Sequence, residues 1–355
     1  MEVCSQNLND PYTVLLKVNG NKCNMACEYC SELPKKFSTA QCTYNYEKFK
    51  DFLIKLPKNT DIIFHGGEPT LIGKDNIQKL VMLIKDLGYS ITPTVQTNGF
   101  LDEEWVQFFK KFSSYVKVSV SIDGDEVCNV YRKTYGDKSD VAYSVTDRFL
   151  HDLDKNGVEF RCIATINHNS WRRGHEIVRY FSQYNNLKFL RINPCFDIDE
   201  NGIKSWAISP SEYLECLKSA FIEMISSGCY KKIKIDPIMD IVREFNNETN
   251  VYQFKCNKFS SLFPDGLITS CDAMREIVQE IEVDENMFQN FNYPDYTTDV
   301  IEMCNKCPHI SICKGGCPPL LHRYRIYASK YIGEYCQYRI GIRLFIKKYI
   351  EGEPV

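Results

Sequence analysis

Short apolar stretches alternate with amphipathic stretches through the first two thirds of the chain. Six stretches read as buried strands, because they are short, rich in Val, Ile, Leu and Phe, and bounded by polar or glycine residues. They span residues 12–18, 61–67, 91–97, 115–123, 158–166 and 187–193. Between them, apolar residues recur every three or four positions, which predicts helices near 46–56, 76–88, 103–112, 141–156, 173–184 and 209–225. Six strand-then-helix units predict an α/β fold whose parallel sheet curves into a partial (β/α)6 barrel of TIM type.

Two of these helices carry boundary signals. Ser209 and Glu212 have the spacing of a capping box, and Pro210 suits the first helical position. Gly88 follows the apolar face of the second helix, where a glycine commonly ends a helix.

The alternation stops near residue 250. The chain beyond it is rich in cysteine, punctuated by glycine and proline, and poor in regular periodicity until a final helical pattern at 337–350. We therefore expect a barrel domain over residues 1–250 and a cysteine-rich domain over residues 251–355.

Length and charge exclude some classes of function. The chain has 355 residues and a net charge of −3, so it offers no overall basic surface for nucleic acid. The N-terminus lacks the basic and apolar regions of a signal peptide, and no apolar run is long enough to cross a bilayer. We expect a cytoplasmic protein that binds neither nucleic acid nor membrane, with its thiols reduced.

Seventeen cysteines are present, and ten of them form two groups. Cys23, Cys27 and Cys30 make a C-x3-C-x2-C pattern in the loop after the first strand. Structural zinc sites need four ligands, usually with a C-x2-C pair. Three thiolates can instead hold a 4Fe–4S cluster and leave one iron open for a small molecule. A zinc loop with a distant fourth ligand and plain buried thiols remain alternatives.

The second group contains seven cysteines between residues 256 and 336. Two zinc ribbons would need eight ligands in C-x2-C pairs, and only one such pair occurs here. Auxiliary iron–sulfur clusters are therefore favoured. Of the scattered thiols, Cys128 reads as a buried structural residue.

The first cysteine group and the motifs that follow it resemble radical S-adenosylmethionine (SAM) enzymes. After the C-x3-C-x2-C loop come HGGEPTL at 65–71, QTNG at 96–99 and SIDG at 121–124, each at a predicted strand end. The resemblance implies that the open iron binds SAM and that a flavodoxin or ferredoxin supplies an electron. A 5′-deoxyadenosyl radical then takes a hydrogen atom from the substrate. The SAM contacts that it implies are Tyr29, Gly66, Gly67, Glu68, Asn98, Ser121, Arg132 and Phe196.

Several of these contacts have implied roles. Tyr29 and Phe196 would lie against adenine, Glu68 would receive the SAM ammonium group, and Ser121 with Arg132 would hold the SAM carboxylate. The alternatives for Arg132 and Phe196 are a solvated surface charge and core packing.

The spacing of the second cysteine group resembles the SPASM domain of many radical SAM enzymes. The resemblance implies two auxiliary 4Fe–4S clusters, which brings the total to three. One is held by Cys304, Cys307, Cys313 and Cys336. The other is held by Cys256, Cys271 and Cys317, and its fourth ligand is left open.

Four stretches are similar to anaerobic sulfatase-maturating enzymes: FHGGEPTLIG, QTNGFLDEEW, PDGLITSCD and CNKCPHISICKGGC. This likeness implies that Asp272 is a base that deprotonates the substrate side chain; a hydrogen-bonding role beside the cluster is the alternative. One position departs from those enzymes, because Ser31-Glu32 stands where they carry Phe-Tyr.

We expect a radical SAM oxidoreductase that modifies a peptide or protein side chain. Our first expectation is a C–C or thioether cross-link in a ribosomally made peptide. The alternatives are formylglycine formation of the sulfatase type and, third, dehydrogenation of a small molecule. A non-catalytic iron–sulfur scaffold or a zinc-binding regulator would keep the cysteines but would not need the GGEP element.

Overall fold

The computed structural model describes residues 11–32, 43–136, 138–246, 259–269 and 295–353. Three residues with predicted roles, Cys256, Cys271 and Asp272, lie outside these ranges. Their assignments remain predictions.

All six predicted strands are present, and each pairs in parallel with the next along the chain. Their side chains are largely buried, as expected for a parallel sheet covered by helices. The strands are β1 (Thr13–Leu16), β2 (Asp61–Phe64), β3 (Thr94–Thr97), β4 (Lys117–Ser121), β5 (Phe160–Ile166) and β6 (Leu187–Pro194). The α/β fold with a parallel sheet, typical of a partial (β/α)6 barrel, is confirmed, and the carboxyl ends of these strands meet at one edge.

The main sheet contains three further strands that the sequence did not indicate, because each is only two to four residues long. They are β9 (Lys234–Asp236), β10 (Phe259–Leu262) and β11 (Ile268–Thr269). The sheet order is β11-β10-β1-β2-β3-β4-β5-β6-β9, with β10 parallel to β1. A separate hairpin pairs β7 (Ile198–Asp199) with β8 (Gly202–Ile203). Strand β10 follows the expected boundary at 250 yet belongs to the barrel sheet, and the division into two domains remains a prediction.

The helices between the strands lie close to their predicted positions. They are α1 (Tyr46–Lys55), α2 (Lys74–Asp86), α3 (Glu103–Lys111), α4 (Ser139–Lys155), α5 (Gly174–Ser182) and α6 (Pro210–Ser226), followed by α7 (Ile238–Phe245). The capping box on α6 is present in both directions, since Ser209 and Glu212 each bond to the other's backbone N–H. Gly88 ends α2 in a left-handed conformation, with φ of 75°.

The cysteine-rich region contains more helix than its sequence suggests. Its helices are α8 (Thr298–Asn305), α9 (Ile310–Cys313), α10 (Pro318–Tyr327) and α11 (Lys330–Glu351). Helix α11 begins seven residues before the predicted 337 and therefore includes Cys336. It packs on α6 through Phe345 and Tyr349, whose ring centroids lie 5.8 and 5.0 Å from that of Phe221. The last cysteine is thus held on a helix that rests against the barrel.

No helix in the described part of the chain combines the length and apolarity that crossing a membrane requires.

Candidate active site

The loop after β1 carries Cys23, Cys27 and Cys30, and all three thiols are partly exposed. The pKa of Cys23 is raised to about 11, chiefly by burial and also by the charges of Glu68, Cys27 and Cys30, while the Met25 backbone N–H opposes the rise. The three cysteines lie close together in the loop, so their thiolate forms would repel one another. A bound metal would reverse this balance, because thiolate is the form that ligates it.

A segment after β4 holds this loop in place. The backbone N–H of Ala26 donates to the Lys133 carbonyl at 2.7 Å, and that of Glu28 donates to the Tyr131 carbonyl at 3.0 Å. Met25 and Thr134 add an isolated antiparallel bridge. The backbone of the cysteine loop is therefore fixed by hydrogen bonds to the segment after β4.

The GGEP segment after β2 packs directly on the same loop. Gly67 donates its backbone N–H to the Gly20 carbonyl at 2.9 Å, and Glu68 donates to the Lys22 carbonyl at 2.8 Å. A Cβ on Gly66 would lie 2.4 Å from the Gly20 carbonyl oxygen, in addition to the strain of a φ of 116°. The two predicted glycines are therefore needed for close backbone approach.

We expect Gly67→Ala to displace the cysteine loop and to prevent full iron incorporation. Its new Cβ would lie 2.1 Å from the Lys22 carbonyl oxygen, a backbone atom that can move only with the loop. Iron content and SAM binding after anaerobic reconstitution measure the effect. Gly333→Ala is the control, because its Cβ would meet nothing within 4 Å in the described part of the chain outside its own helix backbone, and alanine favours a helix by about 1 kcal/mol. Wild-type iron content and SAM binding in Gly67→Ala would refute the prediction.

Glu68 is fully buried and accepts four hydrogen bonds. Its Oε1 receives the Thr70 backbone N–H and hydroxyl at 3.1 and 2.6 Å and the Thr97 hydroxyl at 2.9 Å, and its Oε2 receives the Asn98 N–H at 2.7 Å. Burial raises the pKa of Glu68, and these bonds oppose the rise. The carboxylate ties the GGEP segment to the end of β3. Its role toward a SAM ammonium group remains a prediction.

Asn98 connects that corner to the cysteines. Its side-chain Nδ2 donates to the Cys23 thiol at 3.6 Å and to the Asn24 side chain at 2.7 Å. Its backbone carbonyl accepts a bond from the Arg132 guanidinium at 3.1 Å. Three of the residues with predicted SAM or cluster roles therefore meet at Asn98.

A second buried network lies on the other side of the loop. The Tyr29 hydroxyl donates to Asp123 Oδ2 at 2.6 Å. Burial is the main cause that raises the pKa of Tyr29, and the negative charge of Asp123 is the second. Burial raises the pKa of Asp123 to about 6, and Arg132 opposes this rise. Arg132 is 5% exposed, so it is not a solvated surface charge. Burial opposes its ionisation, but Tyr29, Cys27 and Asp123 outweigh burial and raise its pKa.

Asp123 is a residue that sequence reasoning missed, although its signal was the only acid in SIDG. It is fully buried and also accepts the Thr165 backbone N–H at 2.9 Å. A single carboxylate thus joins the cysteine loop to the ends of β4 and β5.

Two predicted contacts are placed differently from the rest. Ser121 accepts a bond from the Gln96 side chain at 2.8 Å. Phe196 packs edge-on against four tyrosines of α6, α10 and α11, with ring centroids 5.6 to 6.3 Å apart: Tyr213, Tyr324, Tyr335 and Tyr338. Core packing describes the Phe196 ring in this structure, and an adenine contact remains a prediction. Cys128 is fully buried in the barrel core.

A buried ion pair lies beside the cysteine loop. Lys17, just past β1, is 0% exposed, and its Nζ donates to Glu32 Oε1 at 2.6 Å. The same Nζ lies 3.3 Å from His65 Nδ1. Glu32 is one of the two residues that depart from the sulfatase-maturating pattern. The sequence signal for the pair was a lysine inside an otherwise apolar strand.

In the cysteine-rich region, four thiols lie close enough to influence one another. Burial raises the pKa of Cys304 to about 11, and Cys313, Cys336 and Cys307 add to the rise. Burial raises the pKa of Cys317, and the Leu320 backbone N–H opposes the rise; among the described residues, no other cysteine is a main influence on it. The four thiols therefore form one group, and Cys317 faces a different environment.

Both thiol groups have the soft donors that iron–sulfur clusters use. Across the described residues, no three His, Cys, Asp or Glu side chains meet at the spacing of a single bound metal ion. The described cysteines of each group are therefore neighbours, but they are not arranged as the ligands of a single metal ion.

The family model of the Radical SAM superfamily matches residues 19–163. This stretch contains the cysteine loop, the GGEP segment, Asn98 and the Asp123–Arg132 network. The match therefore covers the part of the chain in which these contacts converge.

Curated relatives extend the similarity beyond that domain. A cysteine-type anaerobic sulfatase-maturating enzyme of Clostridium perfringens is 26% identical over 333 residues, which cover 86% of this chain and 89% of that protein. A serine-type anaerobic sulfatase-maturating enzyme of Bacteroides thetaiotaomicron is 23% identical, covering 87% of this chain and 83% of that protein.

Solved structures share the fold. Native anSMEcpe with bound AdoMet has a TM-score of 0.74 and 21% identity, covering 96% of this chain and 100% of that one. Streptococcus suis SuiB bound to precursor peptide SuiA has a TM-score of 0.60 and 16% identity, covering 88% of this chain and 73% of that one. Residues 19–163 thus match the Radical SAM superfamily, and over most of its length the chain is similar to anaerobic sulfatase-maturating enzymes.

Proposed function

We propose that this chain is a radical SAM maturase that oxidises a side chain of a peptide or protein. The observation that carries the proposal is the packing of the three-cysteine loop on the GGEP segment, with Asn98 bridging Glu68 to Cys23. A scaffold or regulator would need the thiols. It would not need the GGEP backbone packed closely on the cysteine loop, nor the Glu68 carboxylate that fixes this arrangement.

The residues that would hold the first 4Fe–4S cluster are Cys23, Cys27 and Cys30. With SAM, that cluster would supply the hydrogen-abstracting chemistry. Arg132 offers a buried cation for the SAM carboxylate, and Gly66 and Gly67 let the backbone approach the ligand closely. Tyr29 is oriented by its bond to Asp123, which fixes the side chain that would face adenine.

We propose two auxiliary 4Fe–4S clusters, hence three in all. The proximity of Cys304, Cys307, Cys313 and Cys336, without Cys317, supports the first set of ligands. Cys317 would join Cys256 and Cys271 in the second. Asp272 would act as the base on the substrate side chain. A flavodoxin or ferredoxin as electron donor and a cytoplasmic location complete the proposal.

For the reaction, the likeness to both cysteine- and serine-type enzymes, which extends over 86% and 87% of this chain, supports formylglycine formation. A cross-link in a ribosomally made peptide is the second candidate. The Ser31-Glu32 departure favours it, because Glu32 is held in a buried pair with Lys17 and so offers no aromatic ring beside the third cysteine.

Anaerobically reconstituted protein, SAM, a low-potential reductant and candidate peptides test the proposal by mass spectrometry. We expect either an aldehyde that a hydrazide probe traps or a peptide that has lost two hydrogens. The candidates are sulfatase-type peptides with Cys or Ser targets and short Cys- or aromatic-rich precursors. SAM cleavage with no peptide product from either class would contradict a peptide-modifying function.

A further inference from the structure

One arginine of α11 lies beside the four-thiol group without belonging to it. Arg339 is one helical turn after Cys336, and its Nε donates to the Cys313 carbonyl at 3.2 Å. Its own backbone carbonyl accepts a bond from the Arg343 guanidinium at 3.2 Å, and Arg343 in turn lies 3.3 Å from Glu244 of α7. The backbone of Arg339 is thus bonded on the side of α7, while its side chain is bonded to the cysteine-bearing segment.

Arg339 lies where its charge can act on the four-thiol group. It follows Cys336 by one turn of α11, and the bond from its Nε to the Cys313 carbonyl fixes the guanidinium beside that cysteine. A guanidinium is too weak an acid to lose its proton in a protein, so Arg339 carries a permanent positive charge at this position.

Tyr335 of α11 holds the segment that carries Cys317. Its hydroxyl accepts the Cys317 backbone N–H at 3.2 Å, and its ring leaves no room for a side chain at Gly316, where a Cβ would lie 2.4 Å from the ring. Cys317 is therefore held in position by the same helix that carries Arg339 and Cys336.

A fixed cation beside an iron–sulfur cluster favours its more negative state. Four thiolates around an oxidised 4Fe–4S cube give a net charge of −2, and gaining one electron makes it −3. The attraction of a nearby cation grows with that charge, and local charge is one of the factors that set cluster potentials.

We propose that Arg339 is a positioning residue that raises the reduction potential of the auxiliary cluster held by Cys304, Cys307, Cys313 and Cys336. The inference rests on the proposed function. The substrate radical left by hydrogen abstraction loses one electron and one proton to become the oxidised product. Arg339 makes the auxiliary cluster a better acceptor for that electron.

An EPR-monitored redox titration of the reconstituted full-length protein tests the inference. Added SAM changes the signal of the loop cluster and so identifies it, which leaves the auxiliary signals for comparison. We expect Arg339→Gln to weaken the electron affinity of one auxiliary cluster about tenfold, a fall of about 59 mV for one electron. Arg339→Lys, which keeps the charge, should stay near the wild-type potential. If Arg339 only packed against its neighbours, the auxiliary potential would not separate the charged Lys variant from the neutral Gln variant.

Arg325→Gln is the matched control, because Arg325 on α10 is half exposed and pairs with Asp299 at 3.0 Å. An unchanged auxiliary potential in Arg339→Gln would overturn the inference. Loss of the auxiliary cluster in both Arg339→Gln and Arg339→Met, with retention in Arg339→Lys, would also overturn it in favour of a role in assembly. Absence of every auxiliary signal in the wild type would instead contradict the proposed cluster content.

Discussion

Replacing Cys23, Cys27 and Cys30 together by alanine should abolish 5′-deoxyadenosine formation from SAM. These are the thiols on the loop that packs against the GGEP segment, and Asn98 contacts the first of them. Without them no iron is held where SAM would bind. Chromatography of the products formed after chemical reduction measures the effect.

The same variant should keep the proposed auxiliary clusters, because Cys304, Cys307, Cys313 and Cys336 lie in the segment from α8 to α11 and not on the loop. Mössbauer spectra test this by showing the loss of one cluster's iron only. Cys128→Ala serves as the control, since that thiol is buried in the core and should have no ligand role. Residual SAM cleavage by the triple variant would mean that the radical site lies elsewhere in the chain.

Glu32→Gln or Lys17→Met should each destabilise the fold by about 3–5 kcal/mol. The two charges are almost fully buried and 2.6 Å apart, and removing one leaves the other buried without that counter-charge. Chemical unfolding under anaerobic conditions measures the free energy.

Replacing both charges in Lys17→Met/Glu32→Leu should cost clearly less than the sum of the single changes, because paired apolar residues avoid the desolvation of a single charge. Lys74→Met is the surface control. It breaks the more exposed pair with Glu104, where an effect of about 0–1 kcal/mol is expected. Additive losses in the double variant would show that the pair is not the unit that stabilises this corner.

The barrel was predictable from sequence because its strands and helices repeat a simple pattern. Strands β1 to β6 lie in short stretches that are apolar or alternate apolar with polar residues, and the capping box at Ser209 fixes the start of α6. Strands β9, β10 and β11 were missed because two to four residues carry too little periodicity. They form only because the edges of an existing sheet offer hydrogen bonds to them.

The candidate site was predictable at its motifs but not in its internal contacts. Cysteine spacing and GGEP mark the loop and its neighbour. Only the fold reveals that Glu68 accepts four hydrogen bonds, that Asp123 orients Tyr29, or that Arg132 is buried. The contact of Glu68 with Asn98 and that of Tyr29 with Asp123 join residues 30 and 94 positions apart in the chain, and no local pattern encodes them. The same is true of Arg339, which is an ordinary helix residue until α11 places it beside Cys313.

Deuterium transfer tests the central claim most directly. Candidate peptides deuterated at their carbon positions are incubated with the reconstituted protein, SAM and reductant, and the 5′-deoxyadenosine is analysed by mass spectrometry. A maturase of this kind predicts deuterium in the 5′-deoxyadenosine, together with an oxidised peptide. 5′-Deoxyadenosine that carries no deuterium, with every peptide recovered unchanged, would contradict hydrogen abstraction from a peptide side chain.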